Sequence, residues 1–189
     1  MGRKNSSNIS NPLSLKSKTG FTLIELTTVI GVLGVLSAIV LAVLNPLEQF
    51  NKSQDARRKG DLAQIQRGLE VYYNDFQKYP PVYQAPNINR ISTDGTSSTA
   101  VAWGSDWRPY MDILPLDPKV AKSYAYWADA AGQSYVLFAA LDRGSKDPQA
   151  CNGGSACART VGTGIGGTNI TCGTNISCTY GVSSPNISP

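Results

Sequence analysis

The chain of 189 residues contains no histidine, and that absence removes whole classes of chemistry. No Ser-His-Asp or Cys-His pair can form, and no imidazole can hold a metal. Nor does any side chain have an unperturbed pKa that would switch near neutrality. Charge is scarce over long stretches: residues 21–44 carry only Glu25, and residues 148–189 carry only Arg159. Residues 1–20 carry Arg3, Lys4, Lys16 and Lys18 and no acid. The formal net charge of +4, from 17 Lys+Arg against 13 Asp+Glu, therefore resides in those first 20 residues. The remainder is formally neutral, which removes the electrostatic case for a nucleic-acid partner. There is no P-loop and no acid pair whose proximity the sequence implies, so no enzymatic activity is expected.

What is present begins with one long apolar run, FTLIELTTVIGVLGVLSAIVLAVL, residues 21–44. As a helix it would span roughly 36 Å at ~1.5 Å per residue, enough to cross a hydrocarbon core of ~30 Å. Nothing else in the chain is apolar enough to surround it as the core helix of a soluble protein. A secretory signal peptide fits poorly, because its apolar core should run ~7–15 residues and end in a small-residue cleavage site. Here the run continues into Asn45-Pro46-Leu47. The preceding bases keep the N-terminus cytoplasmic by the positive-inside rule, which places the rest of the chain outside. Glu25 is the exception within the span. A carboxylate costs ~2.5–3.5 kcal/mol at a membrane helix centre and less near its end, and it asks for a cationic partner. Gly31, Gly34 and Pro46 weaken the helix, although membrane-helix packing accounts for the glycines equally well.

Residues 47–79 read as an amphipathic stem. Leu62, Ile65, Leu69, Tyr72 and Phe76 recur at helical spacing. Glu48/Lys52, Asp55/Lys59 and Arg57/Asp61 are set for i,i+4 pairing, each worth ~0.2–0.5 kcal/mol. Tyr79-Pro80-Pro81 ends the pattern. Together, residues 21–78 form one near-continuous helix with a weak point at Asn45-Pro46. The run Arg57-Arg58-Lys59 sits among balanced charges and reads as a solvated or subunit-facing stripe.

Residues 82–111 show little periodicity and read as a long loop with Trp103 and Trp107. Residues 122–128 (KSYAYWA) and 133–141 (QSYVLFAAL) read as two strands joined by a turn at 129–132, a hairpin able to cover the stem's apolar stripe. The aromatics belong to that core rather than to a base-stacking platform. The tail contains Cys151, Cys157, Cys172 and Cys178 among Gly, Thr, Ser and Asn. Four cysteines allow three pairings; the local loops 151–157 and 172–178 are preferred, and zinc is disfavoured by the spacing. Without these staples the tail would be flexible, since it buries too little to offset its ordering entropy. Gly162 to Gly167 matches G-x-G-x-x-G literally but follows no strand, so no dinucleotide site is read there. Sequons at Asn169, Asn175 and Asn186 leave glycosylation open.

The segment Lys18-Thr19-Gly20-Phe21-Thr22-Leu23-Ile24-Glu25, before an apolar run and after a basic leader, resembles the processing site of type IV pilins and type II secretion pseudopilins. The resemblance implies that a prepilin peptidase cuts between Gly20 and Phe21 and methylates the new N-terminus. It implies that Phe21 and Glu25 act in assembly, the carboxylate pairing with the N-terminal ammonium of a neighbouring copy in a helical homo-oligomeric filament built by membrane pilus or secretion machinery. Pro115-Leu116-Asp117-Pro118, then Tyr124-x-Tyr126 and a strand ending in Leu-Asp, is similar to the head of major pseudopilins, although Lys119-Val120 stands where Trp-Gly is common. Major pseudopilins often hold Ca²⁺ in an acidic loop after the last strand. Asp142 and Asp147 are the local candidates, and two carboxylates fall short of the 6–8 oxygens that ion takes, so no cofactor is counted on.

The expected fold is α+β: a long N-terminal helix, membrane half plus amphipathic half, against a small antiparallel head. The divisions are leader 1–20, membrane or filament-core helix 21–44, stem 45–80, head 81–147 and stapled tail 148–189. The leading functional reading is a structural subunit of a type IV pilus-like filament, anchored in the cytoplasmic membrane before assembly and on the surface or in the periplasm after it. The alternatives are a type II secretion pseudopilin, toward which the head leans, and a minor tip pilin binding DNA or a surface. The Cys-rich tail leans toward a surface-exposed pilus.

Overall fold

The computed structural model describes residues 20–85, 88–92, 99–160, 169–185 and 187–189. The leader with Lys18, the glycine motif at 162–167 and the sequon at Asn186 lie outside the described residues. The chain divides into two compact units at Asn45–Pro46.

The first unit contains α1, Leu23–Leu44, apolar on every face apart from Glu25 and a few hydroxyls. It ends where Asn45 turns left-handed, at φ 41° and ψ 74°. A residue before proline is driven from α geometry, and Pro46 has no N–H to donate back to α1. Proline is nevertheless well suited to the first position of a new helix, and α2, Pro46–Phe76, starts there. The near-continuous helix expected over 21–78 is thus two helices, parted at the predicted weak point.

The second unit is built on α2. Leu62, Ile65 and Leu69 are fully buried and Tyr72 nearly so. Burying each large apolar side chain stabilises by ~1.5–3 kcal/mol. Phe76 departs from the expected stripe and is 51% exposed. It is the last residue of α2, and Gln77 beyond it takes φ 55°. The tyrosines on the opposing sheet keep their polar ends satisfied. Tyr126 donates to Pro80 O at 2.8 Å and Tyr124 to Asp61 Oδ2 at 2.7 Å. Burial and the Asp61 carboxylate hold the Tyr124 hydroxyl far above its ordinary pKa, so it remains a donor.

One sheet joins β3 (Ala125–Ala128), β4 (Tyr135–Ala139) and β5 (Tyr180–Ser183) in that order, all antiparallel. The expected hairpin is β3, Ala125–Ala128, with β4, Tyr135–Ala139, in the register Ala125↔Phe138 and Ala128↔Tyr135. Its turn needs a positive φ, supplied by Gly132 at +68°, while Asp129 Oδ1 accepts the N–H groups of Gln133 and Ser134. The third strand, β5, Tyr180–Ser183, comes from the tail and takes the free edge of β4. Alternation along β4 explains why. Tyr135, Leu137 and Ala139 face the cluster containing Leu62, Ile65 and Leu69, while Val136, Phe138 and Ala140 face a second cluster with Cys157, Ile170, Cys172 and Cys178. A central strand apolar on both faces needs two covers. The tail is the second, so its described residues are ordered core and edge strand, a larger part in the fold than the stapled loops expected.

Residues 82–111 also contain more structure than expected. A short hairpin pairs β1, Val82–Ala85, with β2, Ile88–Ile91. Trp103, Trp107 and Leu114 then fold inward, with the Trp103 ring edge-on to Tyr124 at 5.8 Å.

Candidate processing and assembly site

Gly20 and Phe21 are exposed and lie just outside α1, so their peptide bond is not locked in helical hydrogen bonds. Helix formation begins at Thr22, whose extended backbone (φ −79°, ψ 152°) makes it the N-cap. Its hydroxyl accepts from Glu25 N at 3.2 Å, and Glu25 Oε2 takes the Thr22 backbone N–H at 2.8 Å and the Thr22 hydroxyl at 2.7 Å. This reciprocal capping box satisfies donors that an isolated helix end leaves bare. It also fixes the Glu25 carboxylate on the N-terminal side of its own first turn, where the helix dipole favours an anion. The carboxylate is thereby aimed toward the Gly20–Phe21 end of the segment. Thr22 was not singled out as a site residue, although Thr-x-x-Glu before an apolar run is the sequence signature of such a box.

In the tail, Cys151 is bonded to Cys157 and Cys172 to Cys178. The sequon at Asn169 precedes the second loop and that at Asn175 lies within it, where Asn175 takes φ 58°, a geometry that asparagine tolerates.

The two Ca²⁺ candidates are placed against cations of the chain. Asp142 Oδ1 accepts from Lys122 Nζ at 2.7 Å and lies 2.8 Å from Lys119 Nζ, and its Oδ2 accepts from Arg58 Nη1 at 2.8 Å. Burial opposes that charge, but Lys119, Lys122 and Arg58 together hold the Asp142 carboxyl well below its ordinary pKa. Both oxygens of Asp147 accept from Lys59 Nζ, at 2.9 and 2.7 Å. Donors on every carboxylate oxygen are the wrong surroundings for a hard cation. Among the described residues no group of three His, Cys, Asp or Glu side chains could hold a metal ion. The residues at this position do not fit Ca²⁺.

Arg58 is the site residue that sequence reading missed. It is 0% exposed and lies among three carboxylates. Nε and Nη2 form a fork with Asp117 at 2.8 and 3.0 Å, and Nη1 reaches Asp55 and Asp142, each at 2.8 Å. Asp55 in turn accepts the backbone N–H groups of Asp142 and Arg143 at 2.8 and 2.9 Å. The signal was in the spacing. The buried stripe Leu62, Ile65, Leu69, Tyr72 continues backward at the same period through Arg58 and Asp55. A charge at a stripe position asks for a partner from elsewhere in the chain. Of the three expected i,i+4 pairs, only Arg57–Asp61 is an ion pair, at 3.9 Å, between an exposed Arg57 and a largely buried Asp61. Glu48 is drawn instead to Arg143 and Lys146, each at 3.1 Å.

An all-apolar helix opened by a capped glutamate, with a separate helix-on-sheet head, defines a pilin-like protein. Comparison with known sequences sharpens that class. The chain is 28% identical over 123 residues to type II secretion system core protein G of Pseudomonas aeruginosa, covering 65% of this chain and 82% of the relative. It is 30% identical over 105 residues to the protein of that name from Aeromonas hydrophila, covering 54% and 68%, and 26% identical over 133 residues to that of Vibrio cholerae, covering 70% and 79%. No protein-family model and no solved structure matches the chain. The chain belongs to the type IV pilin and type II secretion pseudopilin family.

Proposed function

We propose that the chain is a pseudopilin, a non-enzymatic subunit of a filament in a type II secretion-like system. The observation that carries this reading is the similarity to secretion core proteins over up to 70% of the chain. It favours secretion over the surface pilus, and the tail supports the same choice. The cysteines that suggested a surface-exposed pilus are packed against β4 inside the head.

In this reading a prepilin peptidase cuts between Gly20 and Phe21, discards the basic leader and methylates the new amine. The leader has by then oriented α1 with the head outside the cytoplasm. Cleavage creates an ammonium one residue from Thr22. Glu25, held by Thr22 in the free subunit, pairs with the ammonium of a neighbouring copy as α1 leaves lipid and packs among its equivalents. A buried carboxylate needs such a partner, and interhelical packing supplies the rest of the association.

The test is deletion of the gene in its host. Secreted proteins should vanish from the culture medium while surface pili remain, and wild-type but not Glu25→Ala protein should restore secretion. Loss of pili with intact secretion would overturn the assignment.

A further inference from the structure

The stretch 142–149 follows β4, where the resemblance to major pseudopilins points to a metal-closed loop. Here the closure is made by charges of the chain alone. Three carboxylates, Asp55, Asp117 and Asp142, meet three cations, Arg58, Lys119 and Lys122. The cluster is formally neutral without any added ion, and a divalent cation would enter against three resident positive charges. Its centre is Arg58, whose partners lie on three separate stretches of chain. Asp55 is on α2, Asp117 is 59 residues beyond Arg58, and Asp142 is 84 residues beyond it. Farther along, Lys59 holds Asp147 and the Gln149 side chain, and Glu48 holds Arg143 and Lys146. A planar guanidinium suits this role because its donors diverge in fixed directions and can reach several carboxylates at once.

We propose that Arg58 is the resident cation of this head, closing the 115–119 and 142–149 stretches onto α2, so that the head folds without Ca²⁺. The proposal holds whether the filament serves secretion or a pilus, so it can fail independently of the functional reading.

The experiment melts the full-length processed protein in detergent, with millimolar EGTA and then with millimolar Ca²⁺. The Tm should agree within about 1 °C, since a ligand that does not bind the folded state cannot stabilise it. A rise of about 5 °C or more with Ca²⁺ would overturn the proposal. Arg58→Met should lower the Tm by about 10 °C in both solutions, because the buried Asp55 and Asp117 and the partly buried Asp142 lose their shared partner. A variant melting with the wild type would remove Arg58 from its role. If the Met variant does not accumulate, Arg58→Lys keeps the charge without the fork and should still lower the Tm by about 5 °C; an unchanged Tm there would equally overturn it. The chelator comparison on the wild type needs no variant at all.

Discussion

The two halves of α2 meet the same head by opposite means. From Leu62 to Tyr72 the contact is apolar, against Tyr135, Leu137 and Ala139 of β4. From Asp55 to Lys59 it is ionic, against Asp117, Asp142 and Asp147. One helical period runs through both halves. Periodicity therefore states which residues face inward and leaves open what chemistry receives them. Apolar contact is non-directional and roughly proportional to area. Buried ion pairs have little net worth against an apolar replacement, but they are costly to leave half-made and demanding in geometry. The apolar half should supply stability, and the ionic half should select the position at which 142–149 docks.

The largest break should come from the ionic half, taken one partner at a time. Arg58→Met should cost about 3–5 kcal/mol in chemical denaturation, because it strands buried carboxylates. In the apolar half, Leu69→Ala should cost about 2–5 kcal/mol, set by how far the rest of its buried cluster can close the cavity. A Leu69→Ala loss several times that of Arg58→Met would mean that the charges are bystanders.

Acid separates the halves without mutation. The Asp142 carboxyl has its pKa depressed in the folded state by Lys119, Lys122 and Arg58, against the opposing effect of burial. Its contribution is complete above the ordinary carboxylate range and is lost as pH falls through the folded value. Between those limits stability should fall by about 1.4 kcal/mol per pH unit for this group, starting near pH 4. Denaturation profiles between neutrality and pH 2 read that slope directly, and in Asp142→Asn it should be shallower. A smaller effect belongs to the membrane unit, where Thr22→Val removes the N-cap acceptor and a donor to Glu25. Helix content of α1 in detergent should then fall by an amount equivalent to about 1 kcal/mol. Smallest of all is Arg57→Ala, which removes an exposed guanidinium 3.9 Å from Asp61, leaves Asp61 its Tyr124 donor, and should change stability by no more than about 0.5 kcal/mol.

These contrasts also mark what was legible in the sequence. The apolar helix, the Leu62–Tyr72 stripe and the β3-β4 hairpin were readable because each rests on local periodicity. So was the break at Asn45-Pro46, which follows from proline stereochemistry alone. The partners of Arg58 were not readable, since Asp117 and Asp142 come to it through tertiary folding. The tail's part in the core was unreadable for a different reason. Its composition is polar, yet Cys157, Cys172 and Cys178 are buried against β4. Disulfide sulfur packs as apolar surface, so a few cysteines and Ile170 cover what a run of leucines would otherwise cover. Glu25 was legible as an anomaly in an apolar span, whereas its hold on Thr22 needed the geometry of the first turn.

The basic leader and the neutral remainder are the sharpest contrast in the chain, and the proposed function turns on their separation at Gly20–Phe21. Intact mass spectrometry of the membrane-extracted protein measures it most directly. A processed pseudopilin gives the mass of a chain beginning at N-methylated Phe21 with both disulfides closed. A mass retaining residues 1–20 in a host that contains the peptidase would contradict it.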